Sequence, residues 1–286
     1  MLFRSTLMFV MNNGRVYVEK AYEIPECSRT SKGRNIINLL NMQKDEKISS
    51  VLIIDTFDSD DSIVLCTRKG TIKKSFVSDY RNHRKGGIIG INIDMGDSVL
   101  KGMIAKPDDH ILILSRNGKG LRFECSQLRN QGRATRGVRG IRLKTGDQVV
   151  NMLTVDENRL LLICAENGLG IRTRFSSFLP NGGNGDTSSP RKRGGQGVTA
   201  MNTVAVCDAL SVAEDSEILM LTSRGQAVRC PVINIRETNR GSKGVKLIGL
   251  SGADKLVGVS EVVRLDEKEL THGSDDEEKV VESTNL

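Results

Sequence analysis

The chain has 286 residues, 42 Lys and Arg against 35 Asp and Glu, a formal charge of +7, 29 Gly, no Trp and only 3% aromatics. That length supports a substantial core in one large domain or two small ones, and a charged fraction of 27% argues against wholesale disorder. No apolar run approaches the ~20 residues of a membrane-spanning helix, and abundant glycine suits an all-β protein with many tight turns. The opening MLFRSTLMFV has no small-residue cleavage site and belongs to a repeat, so it is not read as a signal peptide.

Five segments share one template of polar opening, apolar run and turn ending in glycine: STLMFVMNNG to Gly14, DSIVLCTRKG to Gly70, DHILILSRNG to Gly118, RLLLICAENG to Gly168 and SEILMLTSRG to Gly225. The glycines fall about 50 residues apart, a propeller-blade period rather than that of most helical solenoids. A second strand follows each hairpin glycine (RVYVEKAYEI, TIKKSFVSDY, KGLRFECSQL, LGIRTRFSSF, QAVRCPVINI), then a loop rich in Gly and Lys/Arg. After the loop a third strand is expected in NIINLL, IGINI, GIRL, GVTAM and GVKLIGL, and a fourth in ISSVLIID, SVLKGMIAK, QVVNMLTVD, ALSVAED and LVGVSEVVRL. Asp45, Asp97, Asp147, Asp208 and Asp254 recur just before the fourth strand. The expected fold is all-β and propeller-like, with about five four-stranded blades at roughly 5–60, 61–108, 109–157, 158–215 and 216–265 in one domain over 1–265.

Residues 266–286 are different. Asp266, Glu267, Glu269, Asp275, Asp276, Glu277, Glu278 and Glu282 face only Lys268 and Lys279, so the rest of the chain is more basic than the total suggests. This acidic tail is expected to be disordered, either as a solvated appendage or as a competitor for whatever the basic body binds.

Catalytic constellations are scarce. The six cysteines form no CxxC or CxH pair of zinc type, and Cys66 and Cys164 occupy the strand slot that Val10, Leu114 and Leu221 fill in other copies, so they read as core. His83, His110 and His272 have no nucleophile in the repeat register, and the recurring Asp residues read as turn formers. No phosphate-binding GxxxxGK[ST] or strand-to-helix GxGxxG occurs, so no enzyme, metal or cofactor site is expected in this chain.

What recurs is cationic: Arg29, Lys32 and Arg34; Arg84 and Lys85; Arg133, Arg136 and Arg139; Arg191, Lys192 and Arg193; Arg240 and Lys243. Equivalent loops of a radial repeat lie at one height, where they would form a curved positive belt with glycines permitting close backbone approach to phosphates. Such loops could also be plain solvent-exposed turns. With Tyr80 the nearest aromatic, the belt suits duplex phosphates better than stacked single strands.

The repeat, RATRGVRGIRL at 133–143 and KAYEIPECSRTSKGRNIINLL at 20–40 resemble the C-terminal domain of the DNA gyrase A subunit, with that of the topoisomerase IV A subunit next nearest. The resemblance covers the chain to about residue 265, and it implies a β-pinwheel, a propeller variant whose blades exchange strands and which wraps DNA around its rim. It implies double-stranded DNA as partner, and the gyrase B subunit with the rest of the A subunit in an A2B2 complex, in the bacterial cytoplasm at the nucleoid. ATP and Mg2+ belong to that parent complex, an ATP-hydrolysing isomerase whose wrapped DNA supports negative supercoiling. Tyr17, Tyr22 and Tyr80 carry no catalytic role. The family's box, QRRGGKG, is matched best by Arg191, Lys192, Arg193, Gly194, Gly195, Gln196 and Gly197, which keeps the third-position Arg and all three glycines. It lies in the fourth repeat rather than the first, and five repeats stand where the family usually has six. Two readings follow: a piece lacking the first blade, or a five-bladed form with its box moved. The competing functions are a topoisomerase IV domain that selects DNA without wrapping it, and a propeller that binds proteins.

Overall fold

A computed structural model of the chain describes residues 5–28, 30–180, 190–203 and 205–262. The acidic tail and Arg29 lie outside the described residues. The strands in chain order are β1 (Thr6–Met11), β2 (Arg15–Lys20), β3 (Ile48–Ile54), β4 (Ser62–Thr67), β5 (Thr71–Phe76), β6 (Ile88–Ile89), β7 (Val99–Ala105), β8 (His110–Ser115), β9 (Lys119–Glu124) and β10 (Val138–Arg139). They continue as β11 (Val149–Thr154), β12 (Leu160–Ala165), β13 (Leu169–Arg174), β14 (Val198–Thr199), β15 (Val206–Val212), β16 (Glu217–Thr222), β17 (Ala227–Pro231), β18 (Val245–Lys246) and β19 (Leu256–Val262). The fold is all-β with five blades, and its only helices among the described residues are short 3-10 turns.

Each blade is built on a hairpin. In blade 2, β4 pairs with β5 antiparallel, Cys66 opposite Ile72, and β7 pairs with the other side of β4. The pairing of first and fourth strands carries a register shift near the end of the first strand in every blade, at Met11, Thr67, Ser115, Ala165 and Thr222. A bulge at one place in each repeat bends and twists each sheet in the same way.

Strand sharing departs from a blade made of four consecutive strands. The sheets run β3-β1-β2-β6, β10-β5-β4-β7, β11-β8-β9-β14 and β15-β12-β13-β18, so the short third strand of each repeat completes the preceding blade. It is two residues long in every case. The last sheet, β17-β16-β19, has three strands. The expected third strand of the first repeat, NIINLL, is not a strand: Ile36–Asn38 form a 3-10 turn that Asn35 caps, its Oδ1 accepting from the Ile37 N–H at 3.1 Å. The segment satisfies its backbone locally, Leu39 and Leu40 N–H donating to Ile36 O at 3.0 and 2.9 Å.

The continuous apolar run in each first strand follows from burial on both faces. In β4, Ile63 and Leu65 pack toward Met8, Val10 and Val16 of blade 1, while Val64 and Cys66 pack toward Ile111, Ile113 and Phe123 of blade 3. In β12, Leu161 and Ile163 join Leu112 and Leu114, whereas Leu162 and Cys164 join Ile218 and Met220. A fully buried Leu, Ile or Val contributes about 1.5–3 kcal/mol, so these inter-blade layers form the core. Cys66 and Cys164 are fully buried within it, and burial pushes the Cys66 thiol up to about 12, as expected of inert core residues. The fourth strands touch in series, β3 to β7 to β11 to β15 to β19, with no comparable contact from β19 back to β3.

Candidate nucleic-acid interface

The basic loops sit between the 3-10 turn that ends each second strand and the strand donated to the preceding blade. Each loop turns into its donated strand through a glycine at positive φ: Gly87, Gly137, Gly197 and Gly244. The reason is contact between blades. A Cβ on Gly197 would stand 2.5 Å from the Gly120 main-chain oxygen, and the Gly244 position repeats this against Gly170. These glycines therefore let one blade's loop lie against the previous hairpin.

Successive loops are stitched together through their main chains. Asn92 N–H donates to Thr135 O at 2.9 Å, Arg142 N–H to Gly195 O at 2.8 Å and Asn202 N–H to Ser242 O at 2.8 Å. Gly194 N–H donates to Gly140 O at 2.7 Å and Gly241 N–H to Ala200 O at 2.6 Å. The loops of repeats 2 to 5 thus form one hydrogen-bonded ribbon. The Gly194 and Gly241 amides are used within it, so they are not free donors to an anion.

The cations of the five basic loops, the first of which lies outside this ribbon, divide into two groups. Lys32, Arg34, Arg84, Lys85, Arg139, Lys192 and Lys243 are exposed. Gln196, in the box, is also exposed. Arg193 and Arg240 are half-buried struts four residues before their loop glycines. Arg193 donates through Nη1 to Arg139 O at 2.5 Å, and Arg240 through Nη1 to Thr199 O at 3.1 Å and through Nε to Ser177 O at 2.7 Å. The Gln127 carboxamide clamps the box backbone, accepting from Arg193 N–H at 2.8 Å and donating to Arg191 O at 3.3 Å. Arg133 is half-buried, and its carbonyl accepts from Lys73 Nζ at 2.6 Å, which also reaches Gly132 O at 3.2 Å. Burial brings the Lys73 ammonium down to about 8. That lysine, on β5, anchors the loop from below and was not singled out by sequence because it sits in a strand.

Acids interrupt the belt. Asp94 pairs with Arg136, and Asp58 with Arg81. A cleft of about 590 Å³ between the second and third loops is lined by Lys69, Arg136, Arg139 and Arg142 but also by Asp94 and Asp97. Glu19 lies near Lys85; burial and the neighbouring Glu23 raise its carboxyl to about 7. Tyr80 is fully buried, its hydroxyl 3.4 Å from Gly90 O, so it offers no stacking face. The recurring aspartates brace hairpins: Asp97 accepts from Lys69 N–H at 3.0 Å, Asp147 from Asn117 N–H at 3.0 Å and Asp254 from Arg224 N–H at 3.1 Å. Asp208 instead accepts from Asn151 Nδ2 at 2.8 Å, and in the first repeat Glu46, not Asp45, contacts the turn through Asn13. Among the described residues no cluster of His, Cys, Asp and Glu is arranged to hold a metal, and no helix is long and apolar enough to cross a membrane.

Known proteins share this architecture. A family profile described as "DNA gyrase C-terminal domain, beta-propeller" matches residues 6–55, 61–106, 109–156 and 216–262, the stretches of blades 1, 2, 3 and 5. The DNA gyrase A subunit of Clostridium acetobutylicum is 39% identical over 282 residues, covering 97% of this chain and 32% of that protein. The Mycolicibacterium smegmatis gyrase A subunit is 34% identical over 260 residues, covering 89% and 30%. The chain therefore spans about a third of the length of the curated relatives it matches. A solved DNA gyrase A C-terminal domain superimposes with a TM-score of 0.75 at 31% identity, covering 92% of this chain and 84% of the other. The C-terminal domain of a DNA topoisomerase IV gives 0.81 at 20% identity, covering 97% and 85%, a likeness of fold. By profile, sequence and fold together, the chain belongs to the DNA gyrase C-terminal domain family of β-propellers.

Proposed function

We propose that the chain is the DNA-binding and DNA-bending domain of the A subunit of a gyrase-like type II topoisomerase, acting on duplex DNA with no catalytic group of its own. The observation that carries this reading is the ribbon of loops, which holds exposed cations in a fixed series along one edge of the blades. Lys32, Arg34, Arg84, Lys85, Arg139, Lys192 and Lys243 would meet phosphates directly. Arg133, Arg191, Arg193 and Arg240 would supply charge while holding the loops in place, and Arg136 would do so once released from Asp94. Arg29 belongs to the same set by its place in the sequence. A rigid curved row that contacts only phosphates bends DNA without reading bases. Bending 20–30 bp by 40–90° costs on the order of 1–6 kcal/mol, which the phosphate contacts must exceed.

In the parent complex, this chain would work with the rest of the A subunit and with the B subunit at the bacterial nucleoid. The ATP- and Mg2+-dependent strand passage there would convert a wrapped crossing into negative supercoils. Residues 266–286 would compete with DNA for the cations through their charge, so deleting them tightens DNA binding at low salt. A salt titration of duplex binding tests the reading: with about ten phosphates engaged, log K falls with log salt at a slope near −9. Weak, salt-insensitive binding would point instead to a protein-interaction propeller.

A further inference from the structure

Arg122 is a charged side chain held inside the protein. It lies in the middle of β9, is only 4% exposed, and stands opposite Leu112, which packs toward Leu161 and Ile163 of blade 4. A buried guanidinium has to be paired. Its Nη1 faces a Glu157 carboxylate oxygen at 2.5 Å, in the turn between β11 and β12, and its Nε donates to Nδ1 of His110 at 3.1 Å.

The roles of donor and acceptor follow from chemistry alone. Arginine keeps its protons throughout the range in which histidine titrates, so Nδ1 of His110 must accept, and the imidazole is neutral with its proton on Nε2. Protonating His110 would set donor against donor and add a second cation beside a buried one. The charged groups around His110 are Arg122 and Glu124 from β9, Asp109 from its own turn, and Glu157. Burial, and then Arg122, hold the imidazole pKa below its ordinary 6.5 against the pull of the carboxylates.

The blades on either side hold the equivalent cation without a histidine. Lys74 donates to Cys125 O at 3.1 Å, and Arg172 faces Glu214 at 3.5 Å. Their first strands open on Ser62 and Leu160, where β8 opens on His110. What Arg122 steadies is the seat of the box-like segment. In β9, Gly120 pairs with Val198 and Lys119 with Thr199, and Lys119 Nζ donates to Thr199 Oγ1 at 3.0 Å. Gln127, just beyond the strand, clamps Arg191 and Arg193. Arg122 stands between these two attachments.

We propose that His110 and Arg122 form a pH-sensitive pin beneath the segment 191–199: neutral His110 holds β9 and the segment in place, and protonated His110 releases Arg122 and loosens that segment while the neighbouring basic loops stay put. Because the folded pKa is lowered, the stabilisation is fully present above 6.5 and is lost as pH falls through the folded value. Glu19 acts in the opposite direction, its stabilisation being lost as pH rises. The pin belongs to the fold and stands whether or not the chain binds DNA; a weaker grip on duplex in acid follows from it only on the function proposed above.

The test is NMR of the whole chain without DNA. Ring nitrogen shifts of His110 should show a bare Nδ1 and a protonated Nε2 at neutral pH, and should locate the midpoint of its titration. Amide exchange, corrected for the intrinsic rate, is then compared above and below that midpoint. The Ala200 N–H, which donates to Gly118 O at 2.8 Å across the β9–β14 junction, should lose protection about tenfold or more, the worth of one hydrogen bond from a charged donor. The Gly140 and Leu247 amides, which make the same bond to Gly70 O and Gly168 O, should keep theirs. His110→Gln retains a neutral acceptor oxygen and all the other titrating groups, and its Ala200 protection should stay constant over the same interval. Four results would overturn the proposal: a proton on Nδ1 at neutral pH, a ring that stays neutral until the whole chain unfolds, Ala200 protection that is unchanged or falls equally with Gly140 and Leu247, or the same loss in His110→Gln.

Discussion

Arg193 reaches across to the main-chain oxygen of Arg139 at 2.5 Å, tying the loop with the box-like segment 191–197 to the strand that the previous repeat donates. Arg240 makes the same bond one repeat later, to Thr199. Arg193, the third residue of the segment 191–197, is therefore a brace between loops as well as a charge, while its neighbour Lys192 is exposed. Replacing Arg193 with Ala should cost about 1–3 kcal/mol, the range for a hydrogen bond from a charged donor. Lys192→Ala should stay within about 0.5 kcal/mol. Thermal unfolding of the two variants checks the contrast, and equal stability would mean that the strut carries no load.

Asp94 holds Arg136 in an ion pair at the mouth of the cleft between the second and third loops. Both side chains are largely exposed, so the pair adds little to stability. Asp94→Asn should leave folding unchanged, free a cation and tighten duplex binding several-fold at low salt, with the gain shrinking as salt screens it. Fluorescence anisotropy with a short duplex at two salt concentrations reads this; an unchanged affinity would show that Arg136 does not face DNA.

Glu19 brings pH dependence. Its folded pKa, about 7, lies above its ordinary value of 4.5, chiefly through burial and then through Glu23, while Lys85 pulls the other way. Because the folded pKa is raised, the stabilisation is fully present below the ordinary value and is lost as pH rises through about 7. Over the same interval a negative charge appears near Lys85. Duplex affinity should therefore fall between about pH 6 and pH 8 more steeply in the natural chain than in Glu19→Gln. Parallel profiles would exclude Glu19 as the titrating group.

Gly118 and Gly146 both have positive φ, 71° and 80°, but a Cβ on Gly118 would lie 2.2 Å from Met201 O whereas one on Gly146 meets nothing within 4 Å. Gly146→Ala should cost about 1–2 kcal/mol from backbone strain alone. Gly118→Ala must also displace the donated strand of the next repeat, and should cost distinctly more. Chemical denaturation of the two variants measures the difference.

The repeat was legible because each first strand buries both faces, which makes SIVLC and LLLICA continuous apolar runs ending at a hairpin glycine. The sharing of strands was not legible from pattern alone. Val138–Arg139 and Val198–Thr199 are too short to carry a period, and nothing local says that they pair with the previous blade. The family resemblance carried that expectation. The row of basic loops was also visible, but its internal structure was not: Asp94, Gln127 and Lys73 act on loops far away in sequence, and the loop glycines serve packing between blades. NIINLL matched the repeat and still formed no strand, because Asn35 caps a 3-10 turn over Ile36–Asn38, a local hydrogen-bonding solution that the repeat pattern does not reveal.

The central claim is that the ordered row of loop cations bends duplex DNA around the domain. Ligation of a nicked DNA circle in the presence of the whole chain, followed by removal of protein and measurement of linking number, tests it most directly. The predicted result is a positive shift that grows with protein, is abolished by high salt, and falls more for Arg191, Lys192 and Arg193 changed together to Ala than for Arg240 and Lys243. An unshifted linking number at saturating protein would contradict it, and equal effects of the two sets of substitutions would remove any special role for the box.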